Sequence, residues 1–155
     1  MVGPGYLLDV NALLALFWPT HEDHEKVRTW FRANAARHWA TCPITQAGFV
    51  RLASNPAITP DAVSVSEALE LLGANLRLPG HLFWPDDLDV SSSLSLCGSR
   101  LQGYRQITDA YLLGLALHRK GHFVTLDRSI SSLMSSANRN STRVIDLSTA
   151  NRRPN

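Results

Sequence analysis

Apolar residues fall in short blocks along the chain, and the spacing within each block separates strands from helices. Residues 6–8 form a brief apolar run that ends at Asp9, which is typical of a buried strand. The apolar stretch over 11–18 predicts a helix that Pro19 ends. Apolar side chains three and four residues apart predict a second helix over 21–34.

The same alternation continues toward the end of the chain. The further predicted strands are at 39–42, 82–84, 123–125 and 144–145. One predicted helix is capped by Thr45 and ended by Asn55 and Pro56, and the next extends from Pro60 and Asp61 to Gly73. A helix over 108–120 is capped by Thr108 and ended by Gly121, and a short helix follows at 130–134. This alternation favours an α/β fold with a mostly parallel sheet covered on both faces. Functional groups in such sheets lie at the carboxyl ends of the strands.

Composition favours one globular domain. Of the 155 residues, 45% are hydrophobic and 18% are charged, which argues against disorder. We expect a single domain over 1–150 and a flexible tail over 151–155. No apolar run approaches the ~20 residues of a membrane span, and the first residues lack the pattern of a secretion signal. Two cysteines, Cys42 and Cys97, exclude a disulfide framework, so we expect a cytoplasmic protein.

The net charge of +2 hides an uneven choice of charged residues. The chain has 13 arginines against 2 lysines, and 9 aspartates against 4 glutamates. The planar guanidinium of arginine matches phosphate and carboxylate groups, which permits a surface for nucleic acid or for an acidic partner. A coding sequence rich in G and C would give the same arginine excess without any such role.

Three aspartates occupy equivalent places in the predicted sheet. Asp9 ends the first strand, Asp109 lies in the first turn of the helix over 108–120, and Asp127 follows the strand at 123–125. Carboxylates that converge repel one another unless a cation lies between them. Mg²⁺ or Mn²⁺ takes oxygen ligands, activates water and stabilises charge on a phosphoryl oxygen. The pattern therefore indicates a metal site, although each aspartate alone could instead cap a helix or a turn.

Four segments carry a resemblance to a known family. They read YLLDVNAL at 6–13, CPITQAGFVR at 42–51, TDAYLLGLA at 108–116 and VTLDR at 124–128. In this order they resemble the signature segments of PIN-domain ribonucleases, and most closely those of the toxins of VapBC-type toxin–antitoxin pairs. The likeness extends from about residue 6 to residue 147, which is nearly the whole chain.

The resemblance implies a three-layer α/β/α sandwich, metal-dependent cleavage of RNA and a small antitoxin partner. Asp9 and Asp109 match the family's principal metal-binding aspartates, and Asp127 matches a further acid of the site. Asn11 and Thr108 lie beside these positions and are expected to support a carboxylate or a metal-bound water. Homodimers are common in the family, so one is a candidate assembly here.

Gln46 departs from the family pattern, which has a glutamate at this position. Glutamine keeps a carbonyl oxygen but loses the negative charge. A unit charge pair about 4 Å apart at an effective dielectric of about 20 interacts by about 4 kcal/mol before desolvation, so weaker metal binding is expected. Arg51 lies one helical turn after Gln46 and is a candidate contact for RNA or for the antitoxin.

Three functional hypotheses follow. The first is an Mg²⁺- or Mn²⁺-dependent endoribonuclease toxin in which Asp9, Asp109 and Asp127 hold the ion and Gln46 occupies the place of the family glutamate. The alternative is a catalytically weak PIN-fold module that binds RNA or antitoxin without turnover, because Gln46 lacks the charge. A nuclease acting on structured DNA is a third hypothesis.

Overall fold

The computed structural model describes residues 3–97, 103–134 and 143–148, in which strands and helices alternate. The strands are β1 (Tyr6–Leu8), β2 (Trp39–Thr41), β3 (His81–Phe83), β4 (His122–Thr125) and β5 (Val144–Asp146). The α-helices are α1 (Val10–Phe17), α2 (His24–Asn34), α3 (Pro43–Ala53), α4 (Val65–Leu76), α5 (Val90–Leu96) and α6 (Ile107–His118). Two 3₁₀ helices span Tyr104–Gln106 and Arg128–Leu133. The predicted tail over 151–155 and the predicted boundary at 150 lie outside the described residues.

The five described strands form one parallel sheet in the order β3-β2-β1-β4-β5. In the central pairing, Leu7 lies opposite Ala40 on one side and Phe123 on the other. The chain moves from β1 to β2 and β3 on one side, and later returns to place β4 and β5 on the other. The predicted α/β class with a mostly parallel sheet is thus confirmed, and the strand order reverses between β1 and β4.

Helices cover both faces of the sheet, which gives the three layers. One face packs against α1, α2, α3 and α4 through a core that includes Trp39, Phe49 and Val124. The opposite face packs against α6 and the 3₁₀ helix Arg128–Leu133 through a core that includes Leu7 and Phe123. Both faces are therefore buried, as the continuous apolar strands require. No described helix combines the length and the apolar character needed to cross a membrane.

Two helices begin later than their apolar spacing predicts. Helix α2 starts at His24 rather than at 21, because the His21 ring Nδ1 accepts from the backbone N of Asp23 and holds a turn there. Helix α4 starts at Val65 rather than at Pro60 and Asp61, because Ser64 and Glu67 form a capping box. In both cases, polar residues that were predicted to be helical form the turn before the helix instead.

Helix α3 begins at Pro43, so the prediction that Thr45 caps it is wrong. Cys42 is the N-cap residue, and the Thr45 hydroxyl accepts from the Cys42 backbone N at 3.0 Å. Proline is favoured at the first helical position because its missing N–H would have no partner there. Thr45, the third residue of the helix, therefore stabilises the helix start by accepting this hydrogen bond.

Both ends of α6 also differ from prediction. The helix continues directly from the 3₁₀ helix Tyr104–Gln106, so Gln106 occupies the N-cap position and Thr108 is the second helical residue. At the other end, the helix ends at His118 rather than at 120, and Lys120 adopts the left-handed backbone conformation with φ 56°. The Gly121 N–H donates to the Ala116 carbonyl at 2.8 Å and closes the helix.

Candidate active site

The candidate site lies where the strand order reverses. Asp9 immediately follows β1, and Asp127 follows the neighbouring strand β4 after one intervening residue. In open parallel sheets a crevice forms at the carboxyl ends of the two strands on either side of such a reversal. The fold therefore brings Asp9 and Asp127 to the same edge of the sheet, as the sequence predicts.

Asp9 is held by hydrogen bonds from both sides. Its Oδ1 accepts from the backbone N of Val10 at 2.7 Å, where α1 begins, and its Oδ2 accepts from the Thr125 hydroxyl at 2.8 Å. The Asp9 backbone N donates to the carbonyl of Val124 at 2.8 Å. Asp9 is 5% exposed. Burial raises the pKa of its carboxyl, and the two hydrogen bonds oppose that shift. Asp9 thus caps a helix and faces the other acids at once.

Asp127 is positioned by the turn after β4. Its Oδ1 accepts from the backbone N of Ser129 at 2.9 Å and from the Ser129 hydroxyl at 2.8 Å. Its own backbone N donates to the Thr125 hydroxyl oxygen at 3.0 Å. The Thr125 side chain consequently contacts Asp127 and Asp9 together and fixes their relative placement.

Asp109 completes the acidic group from the first turn of α6. Burial and the negative charges of Asp9 and Asp127 raise the pKa of Asp109 to about 6. Burial is the largest of these causes, followed by Asp9. The helix N-terminus favours a negative charge at this position. A cation between the three carboxylates would relieve the remaining repulsion.

Gln46 lies in α3, close to the carboxyl end of β2, and is half-buried. Its Nε2 donates to the Thr41 hydroxyl oxygen at 3.0 Å, and that oxygen is 2.8 Å from Nε2 of His81. Burial lowers the pKa of His81, which favours the neutral ring. Among the described residues, Gln46 makes no hydrogen bond to the three aspartates. The Gln46 amide is hydrogen-bonded instead to Thr41, the last residue of β2.

The three supporting candidates are all exposed. Asn11 lies in the first turn of α1, Thr108 lines a cavity beside Asp86 and Asp89, and Arg51 lines a groove between α3 and α4. Within the described part of the chain none of them hydrogen-bonds to an acid of the site. Their proposed roles stay predictions.

Comparison with known proteins decides the family. A model of the PIN domain matches residues 6–134, which is most of the chain. This chain belongs to the PIN-domain family. The match covers β1 through the 3₁₀ helix Arg128–Leu133, and it includes all three aspartates and Gln46.

Several relatives of this PIN domain come from Mycobacterium tuberculosis. Ribonuclease VapC38 (strain ATCC 25618 / H37Rv) is 46% identical over 128 residues, which cover 82% of this chain and 88% of that protein. Ribonuclease VapC44 (strain CDC 1551 / Oshkosh) is 46% identical over 125 residues, covering 81% and 87%. Ribonuclease VapC39 of the same strain is 38% identical over 125 residues, covering 81% and 90%. The VapC-type resemblance read from the four segments is confirmed.

The acidic group of this PIN domain fits a hard divalent cation. Its donors are carboxylate oxygens, which such ions prefer. Burial first, and then the charges of Asp9 and Asp127, raise the pKa of Asp109, and a nearby positive charge would oppose both effects. In the described ranges no three His, Cys, Asp or Glu side chains lie close enough to surround one ion by themselves. Mg²⁺ commonly keeps several waters and takes only one or two carboxylates, so it does not require three acidic ligands at once.

Two buried hydroxyls of the PIN domain were missed by the sequence reading. Thr125 holds Asp9, and Thr41 holds Gln46, and both side chains are fully buried. Each threonine is the last residue of its strand, after apolar neighbours. A polar residue at the carboxyl end of a buried strand was therefore the available signal, because a buried hydroxyl needs a partner.

Proposed function

We propose that this PIN domain is the endoribonuclease toxin of a toxin–antitoxin pair and cleaves RNA phosphodiester bonds with Mg²⁺ or Mn²⁺. The observation that carries the proposal is the convergence of Asp9, Asp109 and Asp127 at the point where the strand order reverses. The relatives named Ribonuclease VapC support RNA as the substrate. The relation to an antitoxin comes from the VapC-type resemblance.

One or two of the three carboxylates would bind the cation directly, and water would supply its other ligands. When bound, a divalent cation lowers the pKa of water and stabilises negative charge on a phosphodiester. Thr125 and the start of α1 orient Asp9, and Ser129 orients Asp127, so neither carboxylate has to reorganise when RNA arrives. Burial and the neighbouring charges raise the pKa of Asp109, and a nearby positive charge would favour its ionised form.

Gln46 favours a second candidate function, a PIN module that binds RNA or antitoxin with little turnover. The motivating observation is that its neutral amide is already hydrogen-bonded to Thr41. In this case the three aspartates would still bind a cation, but more weakly than a site with four acids. The change of Gln46 to glutamate separates the two functions, since only a charge-limited enzyme gains activity.

The proposed antitoxin contact is the groove between α3 and α4, with Arg51 in its wall. The groove is lined mainly by apolar side chains, among which Val65 and Leu69 are more than half exposed. Arg51 makes no ion pair among the described residues, so it is available for an antitoxin carboxylate or an RNA phosphate. A homodimer and a cytoplasmic location belong to this proposal as well.

Cleavage of paired RNA and DNA substrates tests the function. Purified protein with Mn²⁺ should cleave a labelled, structured RNA and leave a DNA of the same sequence intact. Either EDTA or Asp109→Asn should abolish the cleavage, whereas Asp61→Asn, whose carboxylate accepts hydrogen bonds from Trp18 and Thr20, should not. Cleavage that continues in EDTA and in Asp109→Asn would refute the mechanism.

A further inference from the structure

A cavity lined by three cationic residues lies at the opposite edge of the sheet from the acidic group. It has a volume of about 460 Å³ and is bordered by Gly5, just before β1, and by Lys120, shortly before β4. Arg143, which immediately precedes β5, also lines it. Four residues separate Gly5 from Asp9 along the central strand, or about 13 Å at about 3.3 Å per residue. The cavity is therefore separate from the proposed catalytic site.

Positive charge predominates in this cavity. Its charged lining residues are Arg119, Lys120 and Arg143, and no carboxylate lines it. Arg119 donates from Nη2 to both carboxylate oxygens of Asp87, at 2.8 and 2.9 Å. Within the described ranges neither Lys120 nor Arg143 has a carboxylate partner. The cavity thus keeps two cations that no acid neutralises.

The backbone around these cations is held in a defined position. Arg143 donates from Nη1 to the Lys120 carbonyl at 2.8 Å, and Lys120 adopts the left-handed conformation with φ 56°. This conformation is unfavourable for a residue other than glycine, so the surrounding structure must maintain it. The hydrogen bond therefore joins two cationic residues from different segments into one site.

An indole forms the apolar part of the wall. A Cβ atom at Gly5 would lie 2.6 Å from Cζ2 of Trp84, and one at Gly121 would lie 2.7 Å from its Cη2. Only glycine lets the backbone approach the ring so closely. Trp84 and Leu82 line the same cavity as the cations. The combination of an apolar surface with guanidinium and ammonium groups suits a nucleotide unit, which has an apolar and a phosphate part.

We propose that the Arg119–Lys120–Arg143 cavity binds a backbone phosphate of the RNA, several nucleotides from the bond that is cleaved. The inference rests on the proposed function in taking RNA as the ligand. RNA is favoured over an acidic protein segment because the same cavity combines cationic side chains with the apolar side chains of Leu82 and Trp84, which suits a phosphate next to a base. The contact would select substrates long enough to reach from one edge of the sheet to the other.

Salt-dependent RNA binding tests the proposal. The ligand is a fluorescein-labelled single-stranded RNA of about 20 nucleotides, and all proteins carry Asp109→Asn so that the RNA stays intact. The variants are Arg143→Gln and Lys120→Asn, because asparagine tolerates the left-handed conformation. Arg28→Gln is the matched control, since Arg28 lies on α2 and pairs with Glu25 at 3.5 Å. Anisotropy gives Kd between about 50 and 200 mM KCl.

Each cavity variant should reduce the slope of log Kd against log salt by about 0.7, and the double variant by about 1.4. Arg28→Gln should keep the slope of the protein that carries Asp109→Asn alone. Arg143→Lys retains the positive charge and should show that slope as well. Thermal unfolding confirms that each variant is folded. Slopes equal to that of Arg28→Gln would overturn the proposal. Unchanged slopes for RNA together with loss of polyglutamate binding in the cavity variants would also overturn the proposal, because they would assign the cavity to an acidic protein.

Failure of the proposed function gives a different result. If the protein without Asp109→Asn leaves RNA intact in Mn²⁺ while the cavity variants lose slope, the nuclease proposal fails and the phosphate site stands. If that protein cleaves RNA while the slopes stay unchanged, the nuclease proposal stands and the phosphate site fails.

Discussion

The Thr125 hydroxyl donates a 2.8 Å hydrogen bond to Oδ2 of Asp9, although 116 residues separate them in the chain. The same oxygen accepts from the backbone N of Asp127 at 3.0 Å. One buried side chain in β4 therefore links the acid after β1 to the acid after β4. This link joins the two strands between which the order of the sheet reverses.

Removing the Thr125 hydroxyl should lower both the stability of the protein and its metal-dependent cleavage of RNA. Thr125→Val keeps the shape of the side chain but leaves Oδ2 of Asp9 buried without this donor, which should cost about 1–3 kcal/mol of unfolding free energy. Because partners of metal ligands tune affinity, metal-dependent cleavage should fall by about 10- to 100-fold. Thr125→Ser keeps the donor and should remain close to wild type. Urea unfolding and kcat/KM provide the comparison, and equal losses in both variants would contradict the role of the hydroxyl.

Asp109 should make the metal-free protein less stable as pH rises. Its folded pKa of about 6 lies above the ordinary value of 3.8, so its stabilising contribution is complete below about pH 4 and is lost as pH rises through about 6. Allowing for solvent screening, the change should be about 1–2 kcal/mol. Asp109→Asn should remove it.

Urea unfolding in EDTA at about pH 4.5 and about pH 7.5 measures this difference. Asp61→Asn is a control that should change the pH dependence of stability in the opposite direction, because hydrogen bonds from Trp18 and Thr20 lower the pKa of Asp61. Identical pH dependence of wild type and Asp109→Asn would contradict the electrostatic description of the site.

Gln46→Glu should strengthen divalent-ion binding and increase cleavage. The added negative charge attracts a cation, and we expect a gain of about 10-fold in activity at limiting Mn²⁺, well below the unscreened Coulomb energy. Gln46→Met removes the hydrogen bond to Thr41 without adding charge and serves as the control. Mn²⁺ titrations of the cleavage rate compare the three proteins. Absence of cleavage in all of them would favour the binding module.

Two helical glycines should respond in opposite directions to alanine. A Cβ at Gly114 of α6 would lie 2.3 Å from the carbonyl oxygen of Ser93, so Gly114→Ala must separate α5 from α6 and should cost about 1–3 kcal/mol. A Cβ at Gly73 of α4 meets only the Arg77 guanidinium at 3.9 Å, so Gly73→Ala should stabilise by about 0.5–1 kcal/mol. Urea unfolding measures both, and loss of stability in Gly73→Ala would contradict the packing of α4.

The fold class and the positions of the acids were predictable because they depend on local patterns. Strand β1 ends at Leu8, where the apolar run gives way to the polar Asp9, and the alternation of strands with helices indicates a parallel sheet. Carboxyl ends of parallel strands then place Asp9 and Asp127 together. The helix starts were less predictable, since Thr45 and Thr108 are typical caps by residue type but lie inside their helices.

Side-chain hydrogen bonds explain what the sequence could not reveal. The direction of the Gln46 amide depends on Thr41, five positions earlier in the chain, and the orientation of Asp9 depends on Thr125, 116 positions later. The cationic cavity likewise joins Lys120 to Arg143, 23 positions apart. The Asp9–Thr125 and Lys120–Arg143 contacts follow from the register of β4 and β5 beside β1, which the spacing of residues along the chain does not specify.

Single-turnover cleavage of a labelled RNA at increasing Mn²⁺ concentration tests the central claim most directly. Wild type should show a rate that rises to saturation and returns to background when EDTA is added. Asp109→Asn should remain at background across the titration while still binding the RNA. Cleavage by Asp109→Asn at the wild-type rate, or cleavage by wild type that is independent of Mn²⁺ and persists in EDTA, would contradict a metal-dependent site built on Asp9, Asp109 and Asp127.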